Sequence, residues 1–198
     1  MRSLCVRLSS VALLGAFVVG LGATPAVQGQ ARPSLTSALG RFGEQVAAYA
    51  ALHRQTEESL SSAFERAHTL RAILRARARL AVAIKSARPA ARQGDIVSPA
   101  VADIFRRTIA ESLSGIDSEV FFERLYAEDA VPAGFRPRVH DTYPGWATHE
   151  MPLVVLERLP LLPEELEYRL IGDTLVLWDV DADLIIDIVP DALPGPTS

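Results

Sequence analysis

Four aspartates near the C-terminus, Asp179, Asp181, Asp183 and Asp187, are the densest set of hard-cation ligands in the chain. Counted from Asp179 they occupy positions 1, 3, 5 and 9 of a calcium loop. Such a loop also needs Gly at position 6 for its sharp turn and a bidentate Glu at position 12. Here those places hold Leu184 and Pro190. The acids therefore read first as water-facing or turn-capping residues of strands, with a calcium-stabilised module as an alternative.

A second polar cluster, Arg88, Arg92, Gln93 and Asp95, falls in a connector between helical segments. It either holds the helix ends by hydrogen bonds or meets an anionic ligand or partner. His140 beside Asp141, in a proline-rich stretch, is the best adjacent acid–base pair. The four histidines, His53, His68, His140 and His149, are too scattered for a local metal motif, and His149-Glu150 lacks the HExxH continuation. No GxSxG elbow, phosphate-binding loop or dinucleotide fingerprint is present. No catalytic residue is assigned and no cofactor is expected. A hydrolytic or transfer enzyme would need one cleft joining distant residues such as His53, Arg92, His140 and Asp141.

The N-terminus sets the compartment. Arg2 and Arg7 form a basic flank, and Val11 to Leu21 an apolar run interrupted only by glycine. This is the pattern of a secretory signal over residues 1–28, with cleavage after Ala26, Gly29 or Ala31. The run is shorter than the roughly 20 residues of a membrane span. No later transmembrane segment is expected, because Leu153 to Leu162 contains Glu157, Arg158 and Pro160. The one cysteine, Cys5, lies in the signal, so the mature chain folds without disulfides. A periplasmic or secreted bacterial protein follows.

Charge divides the mature chain. Arg32 to Arg92 carries 11 basic residues against 4 acids, and Gln93 to Ser198 carries 7 against 20. Either the basic region docks on the acidic half of its own chain or of a second copy, or it meets anionic lipid, polysaccharide or nucleic acid. Export disfavours nucleic acid, and no stripe of interleaved aromatic and basic residues is present. An envelope protein or glycan, or self-association, is the expected partnership.

These residues need positioning elements. Leu35 to about Leu60 reads as helix, with Leu39, Phe42, Val46, Tyr49 and Leu52 or His53 on one face. Ala63 to Ala87 reads as the strongest helix, with Leu70, Ile73 or Leu74, Leu80 or Ala81, and Ile84 as its apolar stripe and Arg77 interrupting it. Arg71, Arg75 and Arg79 share a face and are expected to have carboxylates opposite. Ser98-Pro99 starts a third helix with Val101, Ile104, Phe105, Ile109 and Leu113 inward. Asp117 or Ser118 caps a fourth, to about Glu128.

Residues 131–163 form a proline-rich loop, whose Tyr143 and Trp146 pin it to the helices, and a short helix over Leu153 to Leu159. Residues 164–193 read as three strands, EYRLI, TLVLW and LIIDIV, with a Gly172-Asp173 hairpin turn. Tyr168, Leu170, Leu175, Leu177, Ile186 and Ile188 are the covered face, and 194–198 a loose tail. The fold class is α+β, mainly α. A helical region over 32–130, with about four longer helices, carries a small C-terminal antiparallel three-stranded module.

Ala83 to Val101, Val139 to Pro144 and Leu161 to Leu193 together resemble a group of exported bacterial proteins to which no activity is assigned. The final hairpin is also similar to small strand modules that close unrelated periplasmic proteins. Neither resemblance brings a catalytic residue, and both imply an extracytoplasmic place. The leading expectation is a non-catalytic binding or structural protein of the bacterial envelope.

Overall fold

Three local signals decide where the helices begin in the computed structural model, which describes residues 34–114, 131–132, 134–147 and 150–194. The side chain of Ser34 accepts the N–H of Ser37, and α1 runs Leu35–Ser59. Leu60 breaks the chain before a single turn, α2 (Ser61–Glu65). The Thr69 hydroxyl accepts the Ala72 N–H and caps α3 (Leu70–Ala87). This helix is shorter than Ala63 to Ala87, because the Thr69 cap fixes extended backbone ahead of Leu70. Pro99 at the first turn opens α4 (Pro99–Leu113), where its missing N–H costs nothing. The expected short helix is only the turn α5 (Leu153–Leu156). The expected signal, the helix over 117–128, His149 and residues 195–198 lie outside the described residues.

Strands β1 (Leu166–Ile171), β2 (Thr174–Asp179) and β3 (Leu184–Val189) form an antiparallel sheet in the order β1-β2-β3. Gly172 takes φ +60 at the first position of the β1–β2 turn, as a type II′ hairpin requires. The fold is thus mainly helical with a small C-terminal antiparallel sheet. One apolar core spans both parts, joining Phe42, Leu80 and Phe105 to Leu170, Leu177 and Ile186.

Ile188 departs from the expected helix-covered face. A bulge places Leu177 opposite Asp187 and Trp178 opposite Ile185, leaving Ile186 extra. An extra residue reverses the alternation beyond it. Ile188 therefore joins Ile171, Val176 and Ile185 on the other side. That second side is covered by the proline-rich loop, so Tyr143 and Trp146 pack with the sheet rather than pinning the loop to the helices. Tyr143 lies 4.9 Å from the Trp178 ring, and Trp146 meets Phe135 edge-on. Thr142 and Glu150 each make a one-residue bridge, to Leu184 and Arg169 respectively.

α3 differs most from its sequence pattern. Its buried face is Ala76, Leu80 and Ile84, while Leu70, Ile73 and Leu74 are exposed. Arg71, Arg75 and Arg79 are exposed and have no ion pair among the described residues, against the expectation of opposing carboxylates. They stand on the solvent side of a helix whose other side fills the core. Arg77, the residue interrupting the stripe, instead donates to the carbonyls of Val180 and Asp181, tying α3 to the β2–β3 turn.

Candidate functional site

The chemistry-bearing groups converge where α1 crosses the end of β2. On α1, Phe42, Val46, Tyr49 and His53 recur at three- and four-residue steps and are all buried. On β2, Leu175, Leu177 and Asp179 alternate onto the helix side. Asp179 thus enters the core, fully buried, opposite the two polar residues of that helical face. Its Oδ2 accepts the Tyr49 hydroxyl at 2.6 Å and faces His53 Nδ1 at 2.7 Å. Its Oδ1 accepts the N–H groups of Asp181 at 3.1 Å and Ala182 at 2.8 Å. Four donors meet one carboxylate, which balances its removal from water.

Burial works against a charged His53, but the hydrogen bond and charge of Asp179, with Asp181 and Glu57 beyond, outweigh it and raise the pKa above 6.5. Burial first, and then Asp179, push the Tyr49 phenol far above its ordinary range. His53 Nε2 has no hydrogen-bond partner among the described residues; Asp181 Oδ2 lies 3.9 Å away and Glu57 Oε2 4.0 Å. Around this centre Arg54 donates to Glu165 at 2.7 Å, the Glu165 carbonyl accepts the Val180 N–H, and the Arg88 guanidinium lies 5.2 Å over the Tyr49 ring.

Asp179 orients the His53 ring as the carboxylate of a hydrolytic triad orients its base. Two features differ from that arrangement. The imidazole is fully buried, and its outer nitrogen faces two carboxylates rather than a hydroxyl. The arrangement holds a charge in place and clamps α1 to the sheet.

The other nominated residues are distributed elsewhere. Asp187 is fully buried, and its two oxygens accept the N–H groups of Gly94, Ile96, Val97 and Ile188, each at 2.8 Å. It therefore seats the connector on β3. Burial raises its carboxyl pKa, and the four amides pull the other way. Asp183 accepts the Trp178 indole N–H at 3.2 Å, and Asp181 is exposed. Asp179 and Asp187 thus spend their oxygens on protein donors. No group of three or more His, Cys, Asp or Glu suited to a metal ion occurs among the described residues.

Arg92 is exposed and lies 3.5 Å from Asp95, whose other oxygen accepts the Arg92 N–H. Gln93 is exposed, and Arg88 ends α3. The Asp141 carboxylate accepts the Arg138 N–H, closing its own turn. His140 stands at φ +75 with its N–H on the Ile185 carbonyl. Burial, then the charges of Arg88 and Lys85, lower its pKa. His140 and Asp141 thus share the backbone of Ile185 as a partner, while His53 and Arg92 bond to other groups.

The pairing of Tyr49 with Asp179, and the roles of Arg54, Arg77 and Glu165, do not follow from any short motif. One signal was present: an aspartate at the inward position of an apolar strand requires a buried donor. Tyr49 and His53 are the polar residues on the apolar face of α1.

The surface carries a groove of about 390 Å³ between α5 and β1, lined in part by Met151, Leu156, Leu161 and Tyr168. No family model, curated protein or solved structure matches the chain.

Proposed function

We propose that this chain is a non-catalytic binding or structural protein of the bacterial envelope, exported by its N-terminal segment. The observation that carries the reading is the use of its acid–base groups. Asp179, His53, Tyr49 and Asp187 are buried and bonded to one another or to backbone amides. The outer faces, by contrast, keep unpaired character. Leu70 and Leu74 on α3 and Leu153 and Leu161 beside the groove are exposed, and surface leucines gathered in patches mark contact surfaces. No described helix is long and apolar enough to cross a membrane. Basic Arg2 and Arg7 ahead of Val11 to Leu21 support export.

The test combines fractionation with a substrate panel. The mature N-terminus is expected between residues 27 and 32 in protein recovered from the envelope. That protein is expected to leave ester, phosphate, glycoside and peptide substrates unchanged. Turnover abolished by His53→Gln in a variant that remains folded would overturn the reading in favour of a hydrolase.

A further inference from the structure

Two exposed surfaces of this chain complement each other in both shape class and charge. On α3, Leu70, Leu74, Ala78 and Val82 stand four residues apart, and all are exposed. They form an apolar ridge about 18 Å long at 1.5 Å per residue, inclined to the helix axis. Beside it runs a second line, Arg71, Arg75 and Arg79, also exposed. No acid occurs anywhere from Arg66 to Gly94, so nothing on this helix neutralises that line. Leu70 is 73% and Val82 64% exposed, although the buried face of the same helix is already complete with Ala76, Leu80 and Ile84.

The second surface is the groove between α5 and β1. Its floor includes Met151 and Tyr168, and Leu156 and Leu161 stand at its edge, Leu161 96% exposed. Its charge is negative. Glu150 and Glu167 both lie on one cation, Arg169, at 3.4 Å and 2.7 Å. Glu157 and Glu164, in and just after the segment that forms the wall, are exposed with no ion pair among the described residues. Four carboxylates against Arg169 leave an excess of three, opposite in sign to the three unpaired arginines of α3 and equal to them in number.

We infer that the two surfaces dock on one another between copies of this chain, α3 of one molecule lying in the α5–β1 groove of the next. The inference rests on the binding reading above and names its partner: a second copy. Leucines of α3 enter the groove, and Arg71, Arg75 and Arg79 meet Glu157, Glu164 and the Glu150–Glu167 pair. The two patches differ, so the contact is head-to-tail and builds rings or open chains rather than a closed two-fold dimer. Its charged rim makes it weaken with salt.

A mixing experiment on protein recovered from the envelope tests this. Its readout is mass by light scattering across concentration. One variant, Leu74→Asp with Arg75→Glu, spoils the helix face. The other, Leu161→Asp with Glu164→Lys, spoils the groove. All four positions are exposed, so circular dichroism and the unfolding midpoint are expected to stay unchanged. Wild type is expected to grow in mass with concentration. Each variant alone is expected to associate at least about 30-fold more weakly.

The equimolar mixture is expected to stop at dimers, because each variant keeps the face the other lacks. Wild type that stays monomeric up to about 100 µM, a concentration far above typical complex dissociation constants, would overturn the inference. So would a mixture that stays monomeric, or variants that associate like wild type. If monomeric wild type binds phosphatidylglycerol vesicles and the α3 variant does not, the partner is a lipid surface. In that case this inference falls while the binding reading stands. Turnover lost with His53→Gln would remove the binding reading itself.

Discussion

At the residue scale, the interior of this protein is organised by two buried aspartates that solve the same problem differently. Asp187 is satisfied almost wholly by backbone amides, whereas Asp179 recruits Tyr49 and His53 from a helix 126 to 130 residues away in sequence. His53 and His140 then respond to pH in opposite senses. His53 has a raised pKa, so its contribution is fully present below pH 6.5 and is lost as pH rises through its folded value. His140 has a lowered pKa, so the unfolded chain takes up its proton first and acidification below pH 6.5 destabilises the fold. Urea unfolding of wild type and His53→Gln is therefore expected to show a gap that narrows from about pH 5.5 to about pH 8.5. His140→Gln is expected to recover ground on the wild type as pH falls. A gap for His53→Gln that widens toward high pH would refute the assignment of charge to that ring.

At the scale of elements, turns and connectors make the most local demands. Gly172 holds φ +60, and a Cβ there would approach Val131 Cγ2 to 3.2 Å. Gly172→Ala is expected to cost about 1 kcal/mol, read from the shift in unfolding midpoint. Asp187→Ala removes the acceptor of four N–H groups and leaves a cavity. Its expected cost is about 3 kcal/mol or more, with faster hydrogen exchange at Gly94, Ile96 and Val97 than at amides of α1. Exchange accelerated equally everywhere would show that the connector is not what Asp187 holds. The Gly172-Asp173 hairpin, the Pro99 start and the inward face of α1 were legible because each rests on local stereochemistry or a simple period. The switch of Ile188 to the second sheet face was not, since a bulge leaves no residue signature in LIIDIV. The exposed Leu70–Leu74 line was missed for a related reason. Periodicity shows which residues share a face, and packing decides which face is buried.

At the scale of the whole molecule, the opposed charge of the two halves contributes less to cohesion than its size suggests. Among the described residues, Arg54–Glu165 and the local Arg92–Asp95 contact are the two pairs of an Arg or Lys in the basic half with a carboxylate of the acidic half. Arg77 grips carbonyl oxygens instead, and Arg71, Arg75 and Arg79 face solvent. Raising NaCl to about 1 M is therefore expected to change unfolding free energy by less than about 1 kcal/mol, measured by urea titration. A much larger loss would mean that charge pairing holds the halves together. The candidate site was legible only in pieces. His53 and Asp179 stood out as residue types, but their meeting depends on the tertiary contact of α1 with β2. That meeting carries the proposal that the acid–base groups of this chain are spent on architecture. Catalytic groups are held at a cost to stability, so replacing them is often neutral or stabilising, whereas removing one partner of a buried charge network is strongly destabilising. The most direct test is equilibrium unfolding of Asp179→Asn at pH 6. A loss of about 3 kcal/mol or more supports an architectural clamp, and a variant as stable as wild type, or more so, would contradict it.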